Sequence, residues 1–116
     1  MAGKIKDVVI EPTRMSEFEV QAFLWSQLRE LGFNVRGEVK TKFAHRCYVR
    51  FDLALFEDGK LVGILEIKRA PVKHKSSWEE TRQGNRYSQF GVPVKIVYGY
   101  EEACALVELA KSGKIF

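Results

Sequence analysis

The stretch from position 50 to 69, RFDLALFEDGKLVGILEIKR, constrains the fold more than any other part of the chain. Two apolar runs flank Asp58-Gly59, a dipeptide that favours a tight hairpin turn, so the segment is expected to double back as two antiparallel strands. Alternate residues of a strand share a face. Asp52, Ala54 and Phe56 are then expected to point one way and Phe51, Leu53 and Leu55 the other. On the return strand Val62, Ile64, Glu66 and Lys68 oppose Leu61, Gly63, Leu65 and Ile67. Both faces are apolar, the pattern of a sheet covered on both sides. Yet Asp52, Glu66 and Lys68 gather at the end away from the turn, and a charge on a buried surface is costly unless something pairs with it.

Two carboxylates held together repel and lose hydration, and a divalent cation bound by oxygen resolves the conflict. Magnesium suits the site because it takes one or two carboxylates and leaves positions for water and a phosphate. Lys68, two residues beyond Glu66 on the same strand face, can orient a water and offset charge on a reacting phosphate. The register is decisive. A two-residue loop at Asp58-Gly59 with regular strands would pair Asp52 with Leu65 and send Asp52 and Glu66 to opposite faces. A shared face calls for an odd-length loop, most simply Glu57-Asp58-Gly59 with Gly59 left-handed in a bulge, which sets Asp52 opposite Ile64 and diagonal to Glu66.

The flanking elements follow from capping signals and periodicity. SEFEVQAFLWSQLRELGF begins with Ser16 and Glu19 at capping-box spacing and stops at Gly32. Val20, Leu24, Leu28 and Leu31 form its apolar band, with Glu17 inside the band and Glu19 outside it. FNVRGEVKTKF is a strand, or two short pieces about Gly37, followed by a loop AHRC. APVKHK is a basic connector, and SSWEETRQGNRYSQFG is a second helix opened by Ser77 and Glu80 and closed by Gly91. VPVKIVYGY is a strand, and EEACALVELAKSG a final amphipathic helix. The order α-β-β-β-α-β-α describes an α/β domain with a mixed central sheet of about four strands flanked by helices on both faces.

The chain of 116 residues is the size of a single domain, 1–116, with residues 1–6 expected to be a loose end. It shows neither a bilayer-length apolar run nor a secretory leader, so no membrane association and a cytoplasmic location are expected. Cys47 and Cys104 match no metal-ligand spacing and are expected to be free thiols. The formal charge is +4, and Arg46, Arg50, Lys68, Arg69, Lys73, Lys75, Arg82 and Arg86 concentrate it around the middle third. Such density suits a polyanion, and equally a solvated basic surface.

Asp52 followed across the hairpin by Glu66-Ile67-Lys68 resembles the PD-(D/E)xK nuclease superfamily, the restriction-endonuclease-like fold. The resemblance extends from about Ser16 to about Lys111 and includes the element order, although Phe51 stands where the motif name has proline. It implies that Asp52, Glu66 and the backbone carbonyl of Ile67 hold Mg2+, with Mn2+ able to substitute, and that Lys68 helps activate the attacking water. Glu17 on the first helix corresponds to an additional metal-site acid of many members, and equally to an acid favoured at a helix start. Gln83 and Tyr87, four apart on the second helix, look like the Q-x-x-x-Y motif of some members, though an ordinary polar helix face with a packed tyrosine is slightly the better reading of the pair.

The function implied is Mg2+-dependent hydrolysis of DNA phosphodiester bonds, with RNA left open. Catalysis falls to Asp52, Glu66, Lys68, Glu17 and Gln83, and nucleic-acid contacts to Arg46, Arg50, Arg69, Lys73, Lys75, Arg82, Arg86 and Tyr87. With no evident sequence-reading appendage, recognition of ends, branches or shape is expected, as in junction-resolving, repair or mobile-element enzymes. Cutting both strands of a duplex in one encounter calls for a homodimer. A non-cutting nucleic-acid-binding or assembly module of the same fold is the alternative. An unrelated α/β protein with an ion-pair cluster at the hairpin end is a third.

Overall fold

A computed structural model describes residues 15–44, 47–69 and 90–116. The side chains of Phe43, Ala44 and Cys47 fall outside this description, as does the expected second helix with Arg82, Gln83, Arg86 and Tyr87, the basic connector with Lys73 and Lys75, and Arg46. The first helix, α1 (Glu17–Glu30), starts as its sequence dictates. Ser16 Oγ accepts from the Glu19 N–H while Glu19 Oε1 accepts from the Ser16 N–H, each at 3.1 Å. Val20, Leu24 and Leu28 are buried. Leu31, expected in that band, is exposed instead, because the helix ends one residue earlier and Leu31 serves as its C-cap.

Three strands, β1 (Asn34–Ala44), β2 (Cys47–Glu57) and β3 (Lys60–Lys68), form an antiparallel meander. A fourth, β4 (Val94–Tyr98), joins β3 in parallel, giving a mixed sheet in the order β1-β2-β3-β4. A parallel return needs a crossover of a dozen or more residues, which 69–93 supplies. Gly91, the expected stop of the second helix, has φ +68°. The last helix, α2 (Gly99–Lys111), starts two residues before the expected point, taking Gly99 and Tyr100 from the strand. Ala44 pairs with Cys47, so the outer two residues of the anticipated AHRC loop belong to the strands, and Gly37 does not divide β1.

Core clusters lie on both faces of the sheet. Val20, Leu24 and Leu28 of α1 and Ala103, Leu106, Val107 and Ala110 of α2 pack with Val35, Leu53, Leu55, Leu65, Ile67 and Val97. Across the sheet Val49, Phe51, Ala54 and Ile64 pack with Val39, Leu61, Phe90 and Val94, and the Phe51 and Phe90 rings meet edge to face at 5.1 Å. Both described helices thus cover one face, whereas helices had been expected on each; the expectation of a second helix falls on residues outside those described. Phe51 also corrects the strict alternation read from the sequence. It belongs with Ala54, not with Leu53, so the pleat reverses at Asp52. Leu61 likewise shares a cluster with Ile64, because a bulge intervenes.

A candidate carboxylate site

The site is created by a defect in the hairpin register. The turn is the two-residue Asp58-Gly59 loop after all, with Glu57 paired to Lys60 and φ of +51° and +78° at its two central residues. An odd-length loop was expected; the one-residue shift occurs further along, where the register slips between Leu55 and Phe56 and Val62 is the extra residue. Beyond the bulge Leu53 faces Leu65. Continuing the ladder one step sets Asp52 directly across from Glu66, not diagonal to it.

At that step side chains replace the backbone ladder. The Asp52 N–H donates to Glu66 Oε2 at 2.8 Å, and the Ile67 N–H donates to Asp52 Oδ2 at 2.8 Å. Each acid is therefore clamped to the other's strand. Glu66 is 4% exposed, the one charged side chain fully buried among the described residues. Amide hydrogen bonds to a carboxylate are stronger than neutral ones and fix its orientation. An N–H and C=O of the same strand residue point the same way, so the Ile67 carbonyl faces β2 with its amide.

Two further acids approach Asp52. Glu17, at the first turn of α1, accepts the Arg69 N–H at 3.1 Å, one residue past Lys68. Glu38, opposite Asp52 on β1 by continuity of the register, accepts from Gln21 Nε2 at 3.1 Å and pairs with Arg50 at 3.1 Å. Its φ of +55° is unusual for a residue with a long side chain. Burial pushes the Asp52 carboxyl above its ordinary range; the Ile67 N–H opposes this, Glu38 adds to it, Lys68 opposes it and Glu17 adds to it. The row Glu38, Asp52, Glu66 thus concentrates negative charge on three adjacent strands, with the half-buried Lys68 beside it.

Glu38 and Gln21 were missed from the sequence. In NVRGEVKT, Glu38 reads as the polar half of an alternating strand, and only the long β1–β2 register reveals that it meets Asp52. Of the expected site residues, Asp52, Glu66, Ile67, Lys68 and Glu17 come together. Arg50 and Arg69 are exposed nearby, Arg50 in its pair with Glu38. Gln83, Tyr87, Arg82, Arg86, Lys73, Lys75 and Arg46 lie outside the described residues.

The donor set is all oxygen, as a hard cation requires. Among the described residues no three His, Cys, Asp or Glu side chains converge as a ready-made metal centre. Magnesium does not need three, since water and substrate complete its shell. No family model matches the chain, and neither a curated protein nor a solved structure is similar to it. No helix among the described residues is long and apolar enough to cross a membrane.

Proposed function

We propose that the protein is a Mg2+-dependent nuclease that hydrolyses DNA phosphodiester bonds, on a restriction-endonuclease-like core. The observation that carries this is the reciprocal clamp: Asp52 held by the Ile67 amide and Glu66 by the Asp52 amide, across two strands whose ladder gives way there. The clamp brings two acids into register, with Glu17 and Glu38 adding to the charge around Asp52.

Asp52, Glu66 and the Ile67 carbonyl would hold the metal, with Glu17 at its margin and Mn2+ able to substitute. Bound there, magnesium would supply a lowered pKa for a coordinated water and polarisation of the scissile phosphate. The clamping amides keep both carboxylates in fixed orientation, so no reorganisation is needed when substrate arrives. Lys68 orients the water and offsets charge developing on the phosphate. Arg50 and Arg69, with the basic residues of 70–89, hold the nucleic-acid backbone. Two copies acting together would cut both strands of a duplex.

The test is a panel of single-stranded, duplex, flap and four-way-junction DNA, with RNA counterparts, assayed with Mg2+ and with EDTA. Metal-dependent cleavage by wild type, lost in Lys68→Ala while a Mg2+-induced rise in thermal midpoint remains, is the expected outcome. Absence of cleavage on every substrate, with binding intact, would turn the assignment to a binding module of the same fold.

A further inference from the structure

Beyond the carboxylate row, β1 and β2 continue as a two-stranded ribbon. One of its faces is packed: Val39, Val49 and Phe51 belong to the second core cluster. The other carries the alternate residues Lys40 and Lys42 on β1 and Tyr48 and Arg50 on β2, all exposed. Lys40 lies directly across from Arg50 and Lys42 across from Tyr48. Like charges directly opposite on a sheet are destabilising. Here the pair persists with Arg50 bridged to Glu38 at 3.1 Å and the Lys40 ammonium 5.0 Å from the centre of the Tyr48 ring. Tyr48 is itself 56% exposed, a large aromatic surface left open between cations. The Arg50–Glu38 pair connects this stripe to the row of acids.

We propose that this face of the β1–β2 ribbon is a duplex-DNA-binding arm, with Lys40 and Lys42 on phosphates and Tyr48 against the sugar-base surface between them. The assignment deepens the nuclease reading and rests on it for the choice of DNA as partner. Four residues of strand separate the Asp52 row from the Tyr48 row, about 13 Å at the usual rise. The B-form major groove, about 12 Å wide, admits a two-stranded ribbon. The deep, narrow major groove of A-form RNA does not. The arm would therefore seat a duplex on one side while delivering a backbone phosphate to the acids at its base.

The test is a salt titration of binding to a labelled DNA duplex in EDTA, where no cutting occurs, for wild type, Lys40→Gln/Lys42→Gln and Tyr48→Ala. All three positions are exposed, and a thermal scan checks that each variant is folded. The double variant should bind at least about tenfold more weakly at 0.1 M salt, and its slope of log K against log salt should be shallower by roughly two phosphates, about 0.9 each. Tyr48→Ala should weaken binding a few-fold with its slope unchanged. A wild-type slope in the double variant would overturn the arm, as would RNA duplex bound as tightly as DNA through the same lysines. If wild type shows these slopes yet cuts no substrate, the nuclease fails and the arm stands. Metal-dependent cutting with an unaltered slope in the double variant would do the reverse.

Discussion

The two ends of the β2–β3 hairpin carry similar residues in opposite circumstances. At the turn, Glu57, Asp58 and Lys60 are all exposed, and Asp58-Gly59 takes the left-handed geometry that short polar residues and glycine tolerate. Hydrated charge there costs nothing, and the loop requires only local chemistry. At the open end, Asp52 is half-buried and Glu66 buried, and both take hydrogen bonds that the ladder would otherwise make. The one-residue bulge at Val62 lies between these ends and, by the register beyond it, sets Asp52 across from Glu66. Charge is thus hydrated at one end of this hairpin, while at the other burial holds the Asp52 carboxyl above its ordinary range.

The largest expected effect breaks the open end. Glu66→Ala leaves the half-buried Asp52 N–H without its acceptor, a loss of about 1–3 kcal/mol. It should also abolish cleavage, since a metal ligand contributes several kcal/mol, equivalent to about a thousandfold in rate. Glu66→Gln separates the two roles. The amide oxygen still accepts from Asp52, so most of the stability should return while cleavage stays lost. Chemical denaturation alongside a cleavage assay measures both. Activity near wild type in either variant would mean that Glu66 is a structural clamp alone.

Local chemistry made the turn end readable from sequence: Asp-Gly specifies the turn, and Ser16 with Glu19 specifies the helix start, because each rests on residues within three positions. The sheet was legible for the same reason in β2 and β3, whose unbroken apolar runs mark them as buried. The register was harder, because the bulge at Val62 has no residue-type signature; Val62 is as good a strand former as its neighbours. A need for Asp52 and Glu66 to share a face showed that one residue had to be absorbed, but not whether the turn or the strand absorbed it. Glu38 was out of reach for a related reason. Its partnership with Asp52 depends on the long-range β1–β2 register, and its positive φ contradicts what a glutamate prefers.

A smaller effect sharpens the comparison through pH. The folded Asp52 carboxyl titrates above its ordinary value of 3.8, with burial the main cause. Between these two points the folded chain holds a proton that the unfolded chain has released, so this group's contribution to stability falls as pH rises through that window. Asp52→Asn removes the ionisation and keeps an oxygen for the Ile67 N–H. The variant should match wild type in strong acid, then become the more stable of the two as pH rises, while cleaving nothing. Thermal midpoints across pH test this. Mg2+ should narrow the difference by stabilising only the wild type. A wild type that gains stability relative to the variant with rising pH would reverse the sign assigned to Asp52.

The smallest effect belongs to the turn, and its value lies in being confined there. Gly59 has φ +78°, with nothing within 4 Å of the position a Cβ would take. Gly59→Ala therefore meets no steric neighbour, and its cost comes from the backbone alone. Placing a side chain at positive φ should destabilise the protein by about 1 kcal/mol, set by strain that glycine avoids. Asp58→Asn keeps a residue tolerant of the left-handed region and should change stability by less than about 0.5 kcal/mol. Neither should alter cleavage of saturating DNA, because the bulge at Val62, not the turn, sets the register at Asp52. Comparing folded variants at matched temperature isolates that point. If Gly59→Ala reduces cleavage as steeply as Glu66→Ala while the protein remains folded, the register is being controlled from the turn, and the two ends of the hairpin are one mechanical unit.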